Sequence, residues 1–299
     1  MKDLSVLIVS YNTKDLLVQT ISSLLHCLSK TPTVSYEVIV VDNGSTDGSI
    51  DAVKNLKRRE IKLIENKKNV GFGAANNIAA KAADGTYLLP LNSDTIVDNV
   101  SFDKLLAIMD RRNDIGVLTV KVLLPDGSID PASHRGFPTP WRAFTYFSKL
   151  EALTKRILVI NRLFGGYHLT HYDLATEHEI DSPSGAFYLT RKDLYEKVGG
   201  FDEDFFMYGE DLDLSLRIKN SGYKIWYYPH QSITHIKGQS GRTSSDSKKK
   251  SATNRHFYEA MKIFYKKHYE QSYPSFLNAI VNTILTARIK SSGAQHSLK

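Results

Sequence analysis

Two acidic stretches in this sequence combine residue types that could handle a metal ion and a proton. Asn92, Ser93 and Asp94 follow an apolar run, whereas Glu210 and Asp211 follow an aromatic turn much later in the chain. A carboxylate at the end of a strand can ligate Mg²⁺ or Mn²⁺. A carboxylate at the start of a helix can take a proton from an attacking hydroxyl group. Together the two stretches suggest chemistry on a diphosphate-activated donor.

The residue types alone leave a structural interpretation open for each of these acids. Asp94 fits a strand-end cap as well as it fits a metal ligand. Glu210 and Asp211 also fit a helix N-terminus, where the helix dipole favours negative charge. His235 follows an apolar residue and makes sense as a second metal ligand only if it lies beside Asp94; otherwise it is an ordinary surface or core histidine.

Polar residues at the ends of the first two predicted strands could bind a nucleotide. Asp42 opens an Asn-Gly turn, so its carboxylate either stabilises that turn or accepts a hydrogen bond from a nucleobase N–H. Tyr11, at the neighbouring strand end between Ser10 and Asn12, would stack on that base. The glycine-bearing loop 69–73 could let the backbone approach a phosphate or ribose, although it lacks the dinucleotide-binding fingerprint.

The elements that must position these residues alternate between strands and helices. Because parallel strands present their carboxyl ends at one edge, this order predicts an α/β fold with a mainly parallel central sheet and a site at that edge. The apolar runs predict strands at 4–9, 36–41, 61–65, 86–91, 117–124, 184–189 and 224–228. Helical spacing predicts helices at 16–28, 51–59, 74–83, 141–164, 212–220 and 254–269, and another after Pro274. Asp213 and Arg217, four residues apart, predict an ion pair on a helix surface.

Composition indicates a globular protein of a reducing compartment. Hydrophobic residues make up 41% and charged residues 24% of the 299 positions, values ordinary for globular proteins. The single cysteine, Cys27, excludes an internal disulfide framework and fits a small buried hydrophobe. The first residues carry too short an apolar stretch for a signal peptide, and no run predicts a transmembrane helix. We therefore expect a cytoplasmic location.

Positive charge is concentrated after residue 240. Residues 241–299 have 11 Lys or Arg against 3 Asp or Glu, which leaves 28 against 29 of the whole-chain 39 and 32 for residues 1–240. Such asymmetry points to an anionic partner, either a membrane leaflet or nucleic acid. Eight of these basic residues accompany two amphipathic helices: Lys248, Lys249, Lys250, Lys262, Lys266, Lys267, Arg288 and Lys290. The alternative is that both helices pack on the rest of the chain or on a second subunit.

An ordered series of motifs gives the chain a resemblance to a known family. The motifs are VSYN at 9–12, VVDNGSTD at 40–47, NVGFGAAN at 69–76, LNSD at 91–94 and the run from 199 to 217. In this order they resemble glycosyltransferase family 2, inverting enzymes of GT-A fold, and in particular its rhamnosyltransferase-like branch. The resemblance covers residues 3–240, and the whole series is far more specific than any single motif.

The resemblance implies a role for each candidate residue. It implies that Asp211 is the catalytic base, Glu210 an acceptor contact, and Asp94 and His235 the ligands of Mn²⁺ or Mg²⁺. The implied contacts to the nucleotide-sugar are Ser10, Tyr11, Asn12, Asp42, Asn69, Gly71, Asn76, Asn92, Ser93 and Asp94. Asn92 departs from the family, which often has an aspartate there, so metal binding here is expected to depend on Asp94.

The resemblance also implies substrates and a division of the chain. Residues 1–240 would form the catalytic domain, with 1–125 binding the nucleotide-sugar and 126–240 the acceptor, followed by a basic helical extension at 241–299. The expected donor is dTDP-rhamnose or a UDP-sugar, and the expected acceptor a saccharide or a polyprenyl-diphosphate-linked saccharide. An anionic membrane surface, not nucleic acid, is the expected partner of the tail, with a homodimer as the alternative.

Two other classes of function compete with this interpretation. A non-catalytic nucleotide-sugar or polyanion-binding module would have no need of the Glu210–Asp211 pair. A nucleotidyltransferase would need a basic, glycine-rich phosphate loop after the first strand, where this chain has SYNT at residues 10–13.

Overall fold

The computed structural model describes residues 2–237 and 247–294, and its strands form one mixed sheet flanked by helices. The strands are β1 (Lys2–Ser10), β2 (Tyr36–Asp42), β3 (Ile61–Glu65), β4 (Gly85–Asn92), β5 (Thr95–Asn99), β6 (Ile115–Leu123), β7 (His178–Ile180), β8 (Leu189–Arg191) and β9 (Lys224–His235). The helices are α1 (Lys14–Ser29), α2 (Ser49–Asn55), α3 (Phe72–Lys81), α4 (Phe102–Arg111), α5 (Pro140–Phe147), α6 (Leu150–Thr154), α7 (Leu158–Phe164), α8 (Lys192–Lys197), α9 (Glu210–Asn220), α10 (Ser247–His268) and α11 (Ser275–Ala294).

The register of the parallel strands brings several predicted site residues to one edge. The sheet order is β3-β2-β1-β4-β8-β6-β9-β5, with β7 paired to β9, and β3, β2, β1 and β4 are parallel. Ser10 at the end of β1 lies opposite Asp42, and Val9 lies opposite Asn92. The expected sheet edge is therefore present, and the mainly parallel α/β prediction is confirmed.

Strand β9 runs further than the sequence predicted, and the extra residues reach the site. The prediction ended this strand at Tyr228, before Pro229, because proline cannot donate to a sheet ladder. The structure carries β9 across Pro229 by a register shift against β6 and pairs its last residue, His235, with Thr95 of β5. Strand β5 was not predicted, since it is short and directly follows the polar turn at 92–94.

Two other predicted elements were wrong. The single helix predicted at 141–164 is three short helices, because Lys149 adopts a left-handed conformation with φ of 64° and interrupts the helical path. The strand predicted at 184–189 is confined to Leu189–Arg191, and before it only Phe187 makes an isolated bridge to Leu91. Strand β7 and helices α4 and α8 were not predicted, and the other elements differ from their predictions mainly at their ends.

Apolar side chains cover both faces of the sheet. One layer, including Leu17, Leu24 and Phe102, packs α1 and α4 on one face. The other, including Ala75, Ala79 and Leu214, packs α3 and α9 on the opposite face. Both faces of the parallel strands are therefore buried, which explains their continuous apolar runs.

Helix α10 packs on the preceding residues of the chain through a third apolar cluster. Its Ala260 and Phe264 lie against Phe205 and Leu212, as expected if the C-terminal helices pack on the rest of the chain. Helix α11 in turn packs along α10. No helix in residues 2–237 or 247–294 is long and apolar enough to cross a bilayer.

A buried carboxylate joins α9 to α10. Asp213 is fully buried, and its carboxylate lies 2.6 Å from Arg217, 2.7 Å from His268 and 2.8 Å from Lys267. The predicted Asp213–Arg217 pair therefore exists, but the placement on a helix surface was wrong. Burial alone would raise the pKa of Asp213, yet hydrogen bonds from His268 and Lys267 lower it to about 2.

Part of the basic tail is therefore used inside the protein. Lys267 pairs with Asp202 and Asp213, and Lys262 donates to Thr286 at 3.0 Å. The side chains of Lys248, Lys249 and Lys250 lie outside the described residues, as do residues 238–246. Some of the positive charge in residues 241–299 is thus paired inside the protein and is not available to an external partner.

We predict that Asp213→Asn loosens the C-terminal helices. Removing one partner of a buried ion pair leaves unpaired charge and costs about 3 kcal/mol or more. We expect a lower free energy of unfolding in urea and faster proteolysis within α10. Glu259→Gln, which removes an exposed pair with Arg255 on the same helix, is the control and should change stability by less than about 0.5 kcal/mol. Equal stability of both variants would contradict a structural role for Asp213.

Candidate active site

A chain of buried hydroxyl groups fixes the ends of β1 and β4. Ser10 Oγ lies 3.0 Å from Thr13 Oγ1, which lies 3.1 Å from Ser93 Oγ. Ser10 is fully buried. Ser10 and Ser93 were both predicted to contact the donor. In the structure their hydroxyl groups, through that of Thr13, connect the ends of β1 and β4.

One carboxylate oxygen of Asp42 stabilises the Asn-Gly turn, and the other remains unpaired among the described residues, so neither of the two roles left open by the sequence is excluded. Its Oδ2 accepts the backbone N–H groups of Gly44 and Ser45 at 3.1 and 2.8 Å, as in an Asx turn. Its Oδ1 is buried and has no hydrogen-bond partner within the described chain. Buried polar atoms are normally paired, so this oxygen is suited to accept a ligand N–H. Tyr11 on the neighbouring strand end is 48% exposed and free to stack.

Asparagine side chains tie the loops around this edge together. Asn12 Oδ1 accepts the backbone N–H of Thr46 at 2.8 Å. Asn43, which the sequence interpretation missed, donates to Asn69 Oδ1 at 2.9 Å and to the carbonyl of Gly71 at 3.3 Å. Asn12 and Asn69 therefore have structural partners in addition to any contact with a donor.

The glycine loop lies against the aromatic turn that precedes the second acid pair. A Cβ on Gly71 would lie 2.7 Å from the carbonyl oxygen of Phe206, and Gly71 has φ of 92°, so only glycine fits. Asn76 in α3 donates to the carbonyl of Phe72 at 3.0 Å, and its Oδ1 is buried without a partner. Gly71 thus serves packing, whereas Asn76 keeps an acceptor atom available.

The predicted metal ligands lie together. His235 Nε2 is 3.1 Å from Asp94 Oδ1 and 3.2 Å from the Asn92 side-chain nitrogen. On the other side of the ring, His235 Nδ1 lies 3.1 Å from Oδ2 of the buried Asp130. Lys237 donates to Oδ1 of Asp130 at 2.6 Å. A metal-ligating histidine is usually held by a carboxylate at one ring nitrogen, as Asp130 holds Nδ1 here, while the other nitrogen faces the metal and its further ligands.

The facing atoms of Asp94 and His235 require a positive charge between them. With Nδ1–H donated to Asp130, the Nε2 lone pair and the Asp94 oxygen would repel each other unless a proton or a cation lay between them. Burial alone would lower the pKa of His235, but hydrogen bonds to Asp130 and Asp94 raise it to about 9. One carboxylate and one imidazole suit Mn²⁺ and leave positions for phosphate oxygens and water. The pair fits a divalent cation, although no group of three or more His, Cys, Asp or Glu in the described residues is arranged around one.

The second acid pair lies at the start of α9 and has one strong partner. Arg135 Nη2 donates to Asp211 Oδ2 at 2.6 Å, with both side chains nearly buried, and also to the carbonyl of Pro183. Asp211 Oδ1 accepts the backbone N–H of Leu212 at 2.8 Å. Because a carboxylate offers about four lone-pair positions, Asp211 can still accept a further hydroxyl group.

Glu210 is buried beside this pair without a cation of its own. Its Oε2 has no hydrogen-bond partner within the described residues. Burial and the neighbouring Asp211 charge raise the pKa of Glu210 to about 8. Near neutral pH, Glu210 is therefore mainly the carboxylic acid, able to donate a hydrogen bond, whereas Asp211 is the member of the pair that bonds to Arg135.

The two halves of the site meet at glycines. A Cβ on Gly73, at the start of α3, would lie 3.7 Å from Glu210 Cβ. A Cβ on Gly185 would lie 3.7 Å from Asn92 Oδ1 and 3.1 Å from the ring of Phe72. The sheet edge that carries Asp42 and Asn92 and the acid pair Glu210–Asp211 are thus parts of one site.

Three residues of this site were missed because they carry no local signal. Asp130, Arg135 and Lys237 lie in irregular segments, and only their contacts with His235 and Asp211 give them importance. A single sequence does not show which loop residue packs against a strand end.

The mainly parallel sheet with its flanking helices has the GT-A fold of glycosyltransferases, and the comparisons agree. The model of the family "Glycosyl transferase family 2" matches residues 5–197, more than half of the chain, so the chain belongs to that family. A second model, described as the N-terminal domain of galactosyltransferase, matches residues 167–239.

Curated relatives carry rhamnosyltransferase names. The N-acetylglucosaminyl-diphospho-decaprenol L-rhamnosyltransferase of Mycobacterium tuberculosis is 29% identical over 214 residues, 68% of this chain and 67% of that protein. The rhamnosyltransferase WbbL of Escherichia coli K12 is 28% identical over 182 residues, 58% of this chain and 63% of that protein.

Solved structures share the fold. A crystal structure of S. aureus TarS covers 97% of this chain and 71% of the TarS chain at a TM-score of 0.57 and 19% identity. A TarS complex with UDP covers 88% of this chain and 64% of that chain at a TM-score of 0.55 and 20% identity. At this identity the likeness concerns the fold.

We predict that Glu210→Gln makes stability less dependent on pH. A carboxyl group whose folded-state pKa is raised from 4.5 to about 8 stabilises the fold fully below pH 4.5 and loses that effect as the pH rises toward 8. Relative to wild type, Glu210→Gln should therefore gain more than about 1 kcal/mol between pH 5 and pH 8.5. Urea unfolding at both pH values measures this, with the exposed Glu196→Gln as control. A parallel pH response in wild type and Glu210→Gln would show that Glu210 is charged when folded.

Proposed function

We propose that this protein is an inverting, metal-dependent glycosyltransferase that moves a sugar from a nucleotide-diphospho-sugar to a saccharide or lipid-linked saccharide in the synthesis of bacterial cell-surface polysaccharide. The observation that carries the proposal is one continuous site. It combines an unpartnered Asp42 oxygen and the Asp94–His235 pair at the sheet edge with the Glu210–Asp211 pair beside them.

In the proposed reaction the acceptor hydroxyl displaces the nucleoside diphosphate in a single step. Asp211 takes the hydroxyl proton as the oxygen attacks the anomeric carbon, which inverts its configuration. Arg135 pairs with Asp211 and orients its carboxyl group. Glu210 donates a hydrogen bond to another acceptor oxygen. General-base assistance of this kind contributes about 10²–10⁴-fold to the rate.

The donor would be held along the sheet edge. Asp42 Oδ1 would accept the base N–H, Tyr11 would stack on the base, and Asn76 and Asn92 would contact the ribose and diphosphate. Asp94 and His235 would hold Mn²⁺ or Mg²⁺, and when bound, this cation would neutralise the leaving diphosphate. Rhamnosyltransferase names among the relatives favour dTDP-rhamnose, with UDP-sugars as the other donors to test.

The product separates this proposal from its rivals. Incubation of the protein with each nucleotide-sugar and Mn²⁺ should release a nucleoside diphosphate. Release of pyrophosphate would identify a nucleotidyltransferase. Donor binding without any turnover, across a panel of donors and acceptors, would identify a binding module. The decaprenyl-diphosphate name of the mycobacterial relative supports a polyprenyl-diphosphate-linked acceptor and hence attachment to the cytoplasmic face of the membrane.

We predict that Asp211→Asn lowers turnover by at least about 100-fold, because an amide cannot accept the proton. Affinity for the nucleoside diphosphate should stay within a few-fold of wild type, since the nucleotide edge is unchanged. Steady-state kinetics and calorimetry provide the two measurements. Asp181→Asn breaks a comparable 2.6 Å pair with Arg142 and is the matched control. If Asp211→Asn turns over nearly as fast as wild type, Asp211 is not the base. If Glu210→Gln loses more turnover than Asp211→Asn does, Glu210 is the base instead.

We predict that Asp94→Ala and His235→Ala each weaken Mn²⁺-dependent binding of a nucleoside diphosphate by at least about tenfold. Binding of the cation must also displace the His235 proton, so affinity should rise with pH up to about 9 in wild type. Titrations with and without Mn²⁺ test both statements. His230→Ala removes an exposed histidine from the same strand and should leave binding unchanged. Metal dependence that survives in both variants would place the cation elsewhere.

A further inference from the structure

The helical segment formed by α5, α6 and α7 has its apolar and polar sides reversed. Helices of a globular protein normally turn their apolar stripe inward. Here the inward side chains are polar: Asn161 is fully buried, and the buried Glu151 accepts the backbone and ring N–H groups of His168, both at 3.1 Å. Asn161 also accepts the hydroxyl of Thr170 at 2.8 Å.

Large apolar side chains point outward from the same helices. Val159 is 83% exposed, Leu153 75% and Leu163 61%. Trp141 and Phe144 on α5 are also exposed, with ring centroids 5.8 Å apart. The three helices contact one another, so these side chains belong to one small unit. Contiguous exposed apolar surface of this extent normally marks an interaction site.

The charges on this unit indicate which partner it meets. Lys149, Lys155, Arg156 and Arg162 are exposed, and the structure shows no ion pair for them within the described residues. The segment 141–164 contains a single acid, Glu151, and that acid is buried. In a symmetric contact between two copies, the same four cations would face each other. An anionic lipid surface instead attracts them.

We propose that the outward face of α5–α7, here named the 141–163 face, docks on an anionic lipid bilayer. Exposed tryptophan and aliphatic side chains enter the interface, while the four cations contact lipid phosphates. The occupant is a lipid headgroup layer, not a soluble peptide, because the exposed apolar groups and the four cations are spread over three short helices. They extend well beyond the cavity that Trp141, Arg162 and Leu163 help to line.

The 141–163 face is connected to the acid pair through Asp181 and Arg135. Arg142 of α5 pairs with Asp181 at 2.6 Å, and the backbone N–H of Asp181 donates to the carbonyl of Arg135 at 3.1 Å. Arg135 in turn holds Asp211. Docking by this face would therefore present the acceptor side of the site to the membrane, where a lipid-linked saccharide lies. Only this purpose rests on the proposed function, because lipid binding itself needs neither donor nor acceptor.

Co-sedimentation of the full chain with vesicles tests the proposal. The vesicles are phosphatidylcholine with or without phosphatidylglycerol, and no substrate is added. Wild type should bind the phosphatidylglycerol vesicles, and salt should weaken the binding. L153S/V159S/L163S should lose at least tenfold in bound fraction, and K155S/R156S should lose most of the preference for anionic lipid. Thermal unfolding midpoints should stay near that of wild type because all five side chains are exposed.

A matched variant on α11 separates this face from the C-terminal helices. Phe276, Ile280 and Ile284 are exposed, so F276S/I280S/I284S removes a comparable apolar surface and should bind vesicles like wild type. Removing the tail altogether would uncover Phe264 and confuse the result. Loss of binding only in the α11 variant would assign the contact to the tail and overturn the proposal. The proposal would also be overturned if wild type did not bind the vesicles. The same holds if L153S/V159S/L163S changed only the oligomeric mass and not vesicle binding. Release of nucleoside diphosphate in any of these cases would leave the proposed function standing.

Discussion

The arrangement of residues 126–237 depends on one electrostatic constraint: a carboxylate buried there is stabilised by a cation within contact distance. Asp211 has Arg135, Asp130 has His235 and Lys237, and Asp213 has Arg217, Lys267 and His268. Apart from Arg217, which lies on the same helix as Asp213, each partner comes from another segment of the chain. These ion pairs therefore hold irregular segments and the C-terminal helix in place where little regular structure would do so. A buried charge without its partner costs several kcal/mol, so these contacts are tightly specified.

Glu210 departs from this constraint, and its environment explains the difference. It lies next to Asp211, but Arg135 bonds to Asp211 and not to Glu210. Without a cation, burial favours the protonated acid. The surroundings thus distinguish the two adjacent acids: Asp211 is paired with Arg135, whereas Glu210 has no cation among the described residues and its pKa is raised. Different environments of two neighbouring acids commonly separate their chemical roles.

The sequence predicted the part of the site that depends on regular strands. The ends of β1, β2 and β4 follow continuous apolar runs, and parallel pairing necessarily brings Ser10, Asp42 and Asn92 to one edge. The contact between His235 and Asp94 could be expected only from the family resemblance, because β9 crosses a proline to reach it. Arg135 and Asp130 could not be predicted, since loop positions have no periodicity and long-range ion pairs leave no trace in a single sequence.

The two basic, partly apolar segments show a further limit of sequence patterns. Both 141–164 and the C-terminal helices combine cations with apolar residues, and composition alone favoured the more basic tail as the membrane contact. Packing distinguishes 141–164 from α10: α10 buries Ala260 and Phe264 against Phe205 and Leu212 and pairs Lys267 internally, whereas α5–α7 bury polar groups and expose apolar ones. The direction in which each segment turns its apolar side chains therefore identifies the available surface better than its net charge does. That direction is set by tertiary contacts such as Asn161–Thr170, which the helical spacing does not encode.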